Sequence, residues 1–231
     1  LHTAYRRQRQ MCIRDRLYPR FLMRKFCSFL IGCLTFLSLS AQTPLSQQEA
    51  QQVLSQISAA AQQTKTLQAQ FVQTKTLKML NHRLVSRGRM SYAQPTQLRW
   101  EYSTPTHYVF VLSGNKVLLG GDRGKNVVDV RQNKVFQQIA RLMVSNVTGQ
   151  CLTDRSFRTQ LFSHNGTWIA QLTPQRGEMK ALFSQITLTI DPKLAVVSRV
   201  VLTERSGDVT TIELSGFKKN QHVAASDFKV D

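Results

Sequence analysis

The stretch Arg87–Tyr102, RGRMSYAQPTQLRWEY, reads as two antiparallel strands joined at Ala93-Gln94-Pro95-Thr96. Proline removes a backbone donor and fixes φ, so the ladder stops there and the chain turns. Ser103-Thr104-Pro105 closes the second strand, His107–Leu112 extends again, and Ser113-Gly114-Asn115 is a tight reversal into Lys116–Leu119. Upstream, Leu67, Ala69 and Phe71 alternate with Gln68 and Gln70, a period of two that marks another strand. Before it, Ser46-Gln47-Gln48-Glu49 forms a capping box, and Ala50, Val53, Leu54, Ile57, Ala60, Ala61 and Thr64 recur at helical spacing. The opposite side of that helix is glutamine and serine, so it lies on a sheet.

Between Val127 and Cys151 is a second helix candidate, with Val135, Phe136, Ile139, Leu142 and Met143 in a narrow apolar stripe that ends at Asn146–Gly149. Five more strands follow: Phe157–Ser163, Thr167–Thr173, Gln185–Asp191, Val197–Thr203 and Val209–Phe217. Their turns carry hairpin chemistry at His164-Asn165-Gly166, Asp191-Pro192-Lys193 and Ser206-Gly207-Asp208. Strands in such succession exclude a doubly wound fold, which alternates strand and helix. The expected product is a mainly β (α+β) chain: one curved antiparallel sheet of about 10–11 strands, closed into a half-barrel by an N-terminal helix and a lid helix.

The first residues stand outside this pattern. Residues 1–22 carry a run of arginines, resemble translated adapter sequence and are read as a non-native extension. Residues 23–41 read as a secretory signal peptide: basic Met23-Arg24-Lys25, an apolar stretch Phe26–Leu39, then small residues at Ser38-Leu39-Ser40-Ala41. The competing lipobox Leu30-Ile31-Gly32-Cys33 would make Cys33 a lipidated terminus. The apolar run passes through Cys33 instead of becoming a polar tether, so the expected mature chain is the domain 42–231, starting near Gln42 without lipid.

The whole chain has 31 basic and 13 acidic residues. Residues 42–231 keep 23 basic and 12 acidic ones, a net +11. Lys65, Lys75, Lys78, Arg83, Arg87 and Arg89 lie on the first long hairpin and the others are dispersed, without the clustered face and stacking aromatics that nucleic acid requires. The reading is a solvated basic surface and no nucleic-acid partner. Of four cysteines only Cys151 lies beyond the leader, so an intrachain disulfide is excluded there and a small core residue is expected.

Enzyme chemistry is poorly represented. Gly120-Gly121-Asp122-Arg123-Gly124-Lys125 approaches a phosphate loop, but Leu119 stands where its first glycine belongs and Asn126 where its Ser or Thr belongs, so it reads as a turn. A G-x-S-x-G elbow and a helical His pair at ligand spacing are both missing. Catalysis, a metal and a cofactor are therefore not expected. Apolar stripes such as Leu67, Ala69 and Phe71 suit an ordinary core as well as a ligand cavity, and on burial alone favour core.

The order Gly88, Pro95, Leu98-Arg99-Trp100-Glu101, Pro105, Ser113-Gly114 resembles the periplasmic carriers of outer-membrane lipoproteins, the LolA family. Thr66–Gln73, Gly207-Asp208-Val209-Thr210 and the terminal Ala225–Val230, taken as ending in a strand, extend the similarity over most of residues 45–231. The resemblance implies an incomplete barrel with helices over an apolar cavity for acyl chains, lined by Leu67, Ala69, Phe71, Val135, Phe136, Ile139, Leu142 and Met143. It implies a monomeric periplasmic carrier without cofactor, which takes acylated lipoproteins from an inner-membrane lipoprotein-releasing ABC transporter and delivers them to the outer membrane. The acceptor there is left open. An envelope-stress regulator or an anchored lipid-binding protein with a similar half-barrel is the alternative. Two departures bear on mechanism. Well-studied members carry an arginine before the hairpin proline that ties the lid shut; here Gln94 precedes Pro95, and Arg99, beside Trp100, is not a positional substitute. Some members also continue past the point where this chain stops.

Overall fold

The computed structural model describes residues 42–80, 82–122, 124–131, 143–145 and 148–230, with Glu178 described by its backbone alone. Residues 1–41 and 132–142 lie outside it, and with them the expected leader, Cys33 and most of the expected lid helix.

Helix α1 (Gln47–Gln63) starts as the capping box requires: Ser46 Oγ accepts from the Glu49 N–H at 3.3 Å, and Glu49 Oε2 accepts from the Ser46 N–H at 2.8 Å. Two residues later the chain is strand. The sheet comprises β1 (Thr43–Pro44), β2 (Thr66–Leu77), β3 (His82–Ala93), β4 (Gln97–Thr104), β5 (Tyr108–Ser113), β6 (Lys116–Gly121), β7 (Gly124–Asp129), β8 (Phe157–His164), β9 (Thr167–Pro174), β10 (Phe183–Asp191), β11 (Val196–Glu204) and β12 (Val209–Lys219). Every neighbouring pair is antiparallel, in the order β1-β8-β9-β10-β11-β12-β2-β3-β4-β5-β6-β7. Thus β2 and β12, distant in sequence, are central neighbours. The edges β1 and β7 are not paired with each other, so the sheet is curved and open.

Among the described residues the sheet has twelve strands, two more than the ten segments read individually from the sequence. One addition is the two-residue β1; the other is β7, which occupies the place read as the approach to the second helix. A further unexpected element is the short helix α2 (Gly177–Leu182) between β9 and β10. The terminal strand is also corrected. Ala225–Phe228 is a 3-10 turn, because Phe228 is buried against Val109, Val111 and Leu118 instead of pairing. That packing explains β5, whose Val109, Phe110, Val111 and Leu112 are all buried: one parity faces α1's side of the sheet, the other the C-terminal segment.

Two apolar clusters fill the inner face. Val53 and Ile57 of α1 pack with Leu161, Leu172, Ile186 and Leu188, while Leu67, Phe71, Met90, Leu98 and Trp100 form the second cluster on β2–β6. Gly88 governs the second. It lies between Phe71 of β2 and Tyr102 of β4 in one cross-strand row, next to a register shift. With no side chain there, Phe71 crosses the gap to stack on Trp100 at 4.3 Å and to meet Tyr102 edge-on at 5.1 Å.

On the outer face Glu101 Oε2 accepts from Arg89 Nε and Arg99 Nε, each at 2.9 Å, and Oε1 lies 3.1 Å from His107 Nε2. Arg99 Nη1 also donates to the Asp227 carbonyl at 3.3 Å, which ties the terminal 3-10 turn to the sheet. Burial disfavours the Glu101 carboxylate, but the hydrogen bonds from Arg99, His107 and Arg89 outweigh it and hold its pKa at about 2.

Two outcomes are expected. In Gly88→Ala the new Cβ would lie 1.9 Å from the Glu101 carbonyl oxygen and 2.6 Å from the Phe71 ring, so urea denaturation should show a loss. The loss should be about 3 kcal/mol, the upper part of the overpacking range; a change under about 0.5 kcal/mol would mean the row is not tightly packed. Glu101 is depressed from 4.5 to about 2, so its ionised form stabilises the fold fully above pH 4.5 and loses that effect as pH falls toward 2. Urea midpoints of wild type and Glu101→Gln should therefore differ at neutral pH and converge through this window; a constant difference would contradict it.

Candidate functional site: an apolar cavity between two core clusters

A cavity of about 130 Å³ opens on the inner face where the two apolar clusters meet. Its walls come from β2 (Leu67, Gln73), β3 and β4 (Met90, Trp100, Tyr102), β11 and β12 (Val197, Val200, Leu202, Ile212, Leu214) and Met143. The pairing of β12 with β2 creates it, since Leu214 lies opposite Phe71 and Ile212 opposite Gln73, with every second residue facing inward.

The expected site residues are placed as follows. Leu67, Ala69 and Phe71 are buried in the β2–β6 cluster, and Met143 packs against it. Leu67 and Met143 line the cavity; Phe71 supports it from behind through its stack on Trp100. Val135, Phe136, Ile139 and Leu142 lie outside the described residues. Residues 143–145 are helical, and Thr148 Oγ1 donates to the Val144 carbonyl at 3.0 Å. Trp100 lines the cavity, whereas Arg99, one residue away, belongs to the outer-face ion cluster. Sequence reading missed the wall from β11 and β12. Its alternation was legible, but not which distant strand it would face.

The polar atoms of the cavity are few. Tyr102 Oη donates to Gln73 Oε1 at 3.0 Å. Burial pushes the Tyr102 phenol up, with the neighbouring Trp100 and Gln73 acting in the opposite sense. The Trp100 indole N–H lies near enough to influence the phenol, yet Nε1 is buried with no partner that meets hydrogen-bond geometry. Beyond Gln73 on the same face of β2, Lys75 Nζ pairs with Glu204 of β11 at 2.9 Å.

Gln94 and Pro95 sit at the exposed β3–β4 turn. There Gln94 serves the end of α1. An α-helix leaves its last carbonyls without helical partners, and here Thr64 Oγ1 donates to Ala60 O at 2.6 Å, Gln94 Nε2 to Ala61 O at 3.2 Å and to Gln62 O at 3.3 Å, and Asn220 Nδ2 to Gln63 O at 3.0 Å. A hollow of about 180 Å³ beside this cap is lined by Ile57, Ala61, Gln94, Thr148 and Leu152 among others. Gly149 contributes closeness: a Cβ there would lie 2.6 Å from the Ile57 side chain, and its φ of 72° is left-handed. Cys151, on the same 3-10 turn, is buried and its thiol is pushed up to about 12 by desolvation, which suits packing and not a nucleophile. Among the described residues there is no group of three or more His, Cys, Asp or Glu placed to hold a metal.

A family model described as outer membrane lipoprotein carrier protein LolA matches residues 62–231. The chain belongs to the LolA family. It is 28% identical over 146 residues to an outer-membrane lipoprotein carrier protein of Xanthomonas oryzae pv. oryzae, covering 62% of this chain and 67% of that protein. A protein of the same description from Xanthomonas axonopodis pv. citri is 28% identical over 167 residues, covering 71% and 77% respectively. Among solved structures, MucB superposes with a TM-score of 0.50 at 12% identity, over 80% of this chain and 64% of that one. At that identity the likeness concerns the fold alone. This LolA-family fold is a carrier or binding fold and not that of an enzyme family.

Gln94→Ala frees the last α1 carbonyls of one donor side chain. The expected loss is about 0.5–1.5 kcal/mol in urea unfolding, with faster amide exchange at Thr64 and Lys65; unchanged exchange there would show that solvent caps the helix equally well.

Proposed function

We propose that the chain is a periplasmic carrier that holds the acyl chains of lipoproteins in this cavity and ferries them from the inner-membrane exporter toward the outer membrane. The observation that carries the reading is the apolar cavity between the α1-covered cluster and the Phe71–Trp100 cluster, in a chain of the LolA family. Shielding is a physical need, since each CH₂ kept from water is worth about 0.8 kcal/mol and several acyl chains cannot cross an aqueous space unprotected.

The cavity volume of about 130 Å³ is small for such a ligand, below the roughly 300–1,000 Å³ of ordinary ligand sites. Loading therefore widens it. The open sheet allows this because its two edges are not hydrogen-bonded to each other, and what covers the inner face, α1 and the segment at Met143, is held by side-chain packing and by a few exposed hydrogen bonds. Release is then a matter of returning to the closed form. In this reading Gln94 holds α1 with neutral hydrogen bonds, each weaker than the charge-assisted bonds of an arginine, so the empty carrier opens more readily than an arginine-bearing relative.

Transfer of a triacylated lipopeptide from vesicles to soluble protein, followed by flotation, tests the proposal. Wild type should form a soluble complex. Met143→Asp, which sets a charge at the cavity wall, should lower the transferred fraction at least about tenfold, the effect of about 1.4 kcal/mol, with an unchanged circular dichroism spectrum. Equal transfer by the two proteins, or none by wild type, would refute the assignment of this cavity.

A further inference from the structure

The inner face of β2 changes character at regular steps. Leu67, Ala69 and Phe71 are buried and apolar, Gln73 is half-buried and amide-bearing, and Lys75 carries a charge paired to Glu204. Alternate residues of a strand lie about 6.5–7 Å apart, so apolar floor, polar band and charged rim succeed one another along a single line. The strands on the other side keep an apolar wall alongside this gradient until Thr210 and Glu204. On β12, Leu214, Ile212 and Thr210 lie opposite Phe71, Gln73 and Lys75; on β11, Val200 and Leu202 precede Glu204.

The polar band contains an anomaly. Trp100 is only 7% exposed and lines the cavity, yet its indole N–H, although close to the Tyr102 hydroxyl, meets no acceptor in hydrogen-bond geometry. Indole can only donate, so the missing group is an acceptor. Beside it the Gln73 oxygen is occupied by the Tyr102 hydroxyl, which leaves the amide NH₂ as a second available donor. Two donors at the border of an apolar cavity match one acceptor at the head of an apolar chain.

We propose that Trp100 and Gln73, the latter held by Tyr102, form a subsite for the ester or amide carbonyl of a bound acyl group. The subsite orients the ligand: its hydrocarbon tail runs toward Leu67, its carbonyl lies at Gln73, and its polar remainder emerges over Lys75 and Glu204. This rests on the reading of the cavity as an acyl-chain site and adds to it a direction of entry and a preference for acyl over alkyl chains.

The experiment compares two synthetic lipopeptides of identical peptide and chain length, one with ester-linked and one with ether-linked chains, by displacement of a fluorescent hydrophobic probe from the full chain. Wild type should bind the ester form about three- to tenfold more tightly, the worth of one carbonyl hydrogen bond. That preference should fall below about twofold in Gln73→Leu, which leaves the stacked aromatics in place, and in Trp100→Phe where that variant folds. Tight binding of both forms with equal affinity by wild type would overturn the subsite and leave the cavity assignment standing. So would an ester preference undiminished in Gln73→Leu and Trp100→Phe. Binding of neither form would overturn the carrier reading itself, and this inference with it.

Discussion

The missing side chain at Gly88 is the constraint on which the rest of this structure depends. In an antiparallel sheet each side chain ordinarily meets its cross-strand neighbour, so Phe71 and Tyr102, two strands apart, would be separated by whatever stands between them. Glycine lets them touch. The Phe71 ring moves over β3, stacks on Trp100, and so defines the floor above which the cavity lies. A packing rule in one row of the sheet thus sets where a buried indole N–H and a phenol are presented, and connects backbone geometry to recognition.

The second constraint follows from openness. A closed barrel satisfies its edges by pairing; this sheet does not close, and its inner face is covered by helix instead. Anchoring α1 is then part of the fold's integrity. The capping box fixes its start, and Thr64, Gln94 and Asn220 take up the carbonyls of its last turn from three separate parts of the chain. Those bonds are few, and those from Gln94 and Asn220 are exposed, so the cover is firmly placed but separable. That combination suits a carrier, whose cargo must be shielded in transit and then surrendered.

Much of this was legible in the sequence, for identifiable reasons. Ser46 and Glu49 carry their geometry in their spacing, Pro95 can only sit where a ladder stops, and strict alternation assigned Leu67, Ala69 and Phe71 to one face. The misses are equally physical. Gly124–Asp129 forms the edge strand β7, where pairing on one side suffices and no alternating pattern is needed. Phe228 resembles a terminal strand residue but is used as an apolar plug on the outer face. The continuous apolar run Val109–Leu112 was the available signal for that plug, since a strand apolar on both faces needs a cover on both. The cavity itself was not legible, because its walls join β2 to β11 and β12 through a pairing that no local pattern encodes. The resemblance implies a gating position at Gln94; its bonds to the end of α1 depend on the path of the whole hairpin, which no local pattern encodes.

The central claim is that acyl chains lie against Trp100. The chain has two tryptophans, Trp100 in the cavity wall and Trp168 in the other cluster, so the claim can be read by fluorescence in a Trp168→Phe background. Titration with a lipopeptide brominated along its acyl chains should quench Trp100 in a saturable manner, while the unbrominated lipopeptide does not. Binding of the brominated lipopeptide with Trp100 emission unchanged would contradict the account.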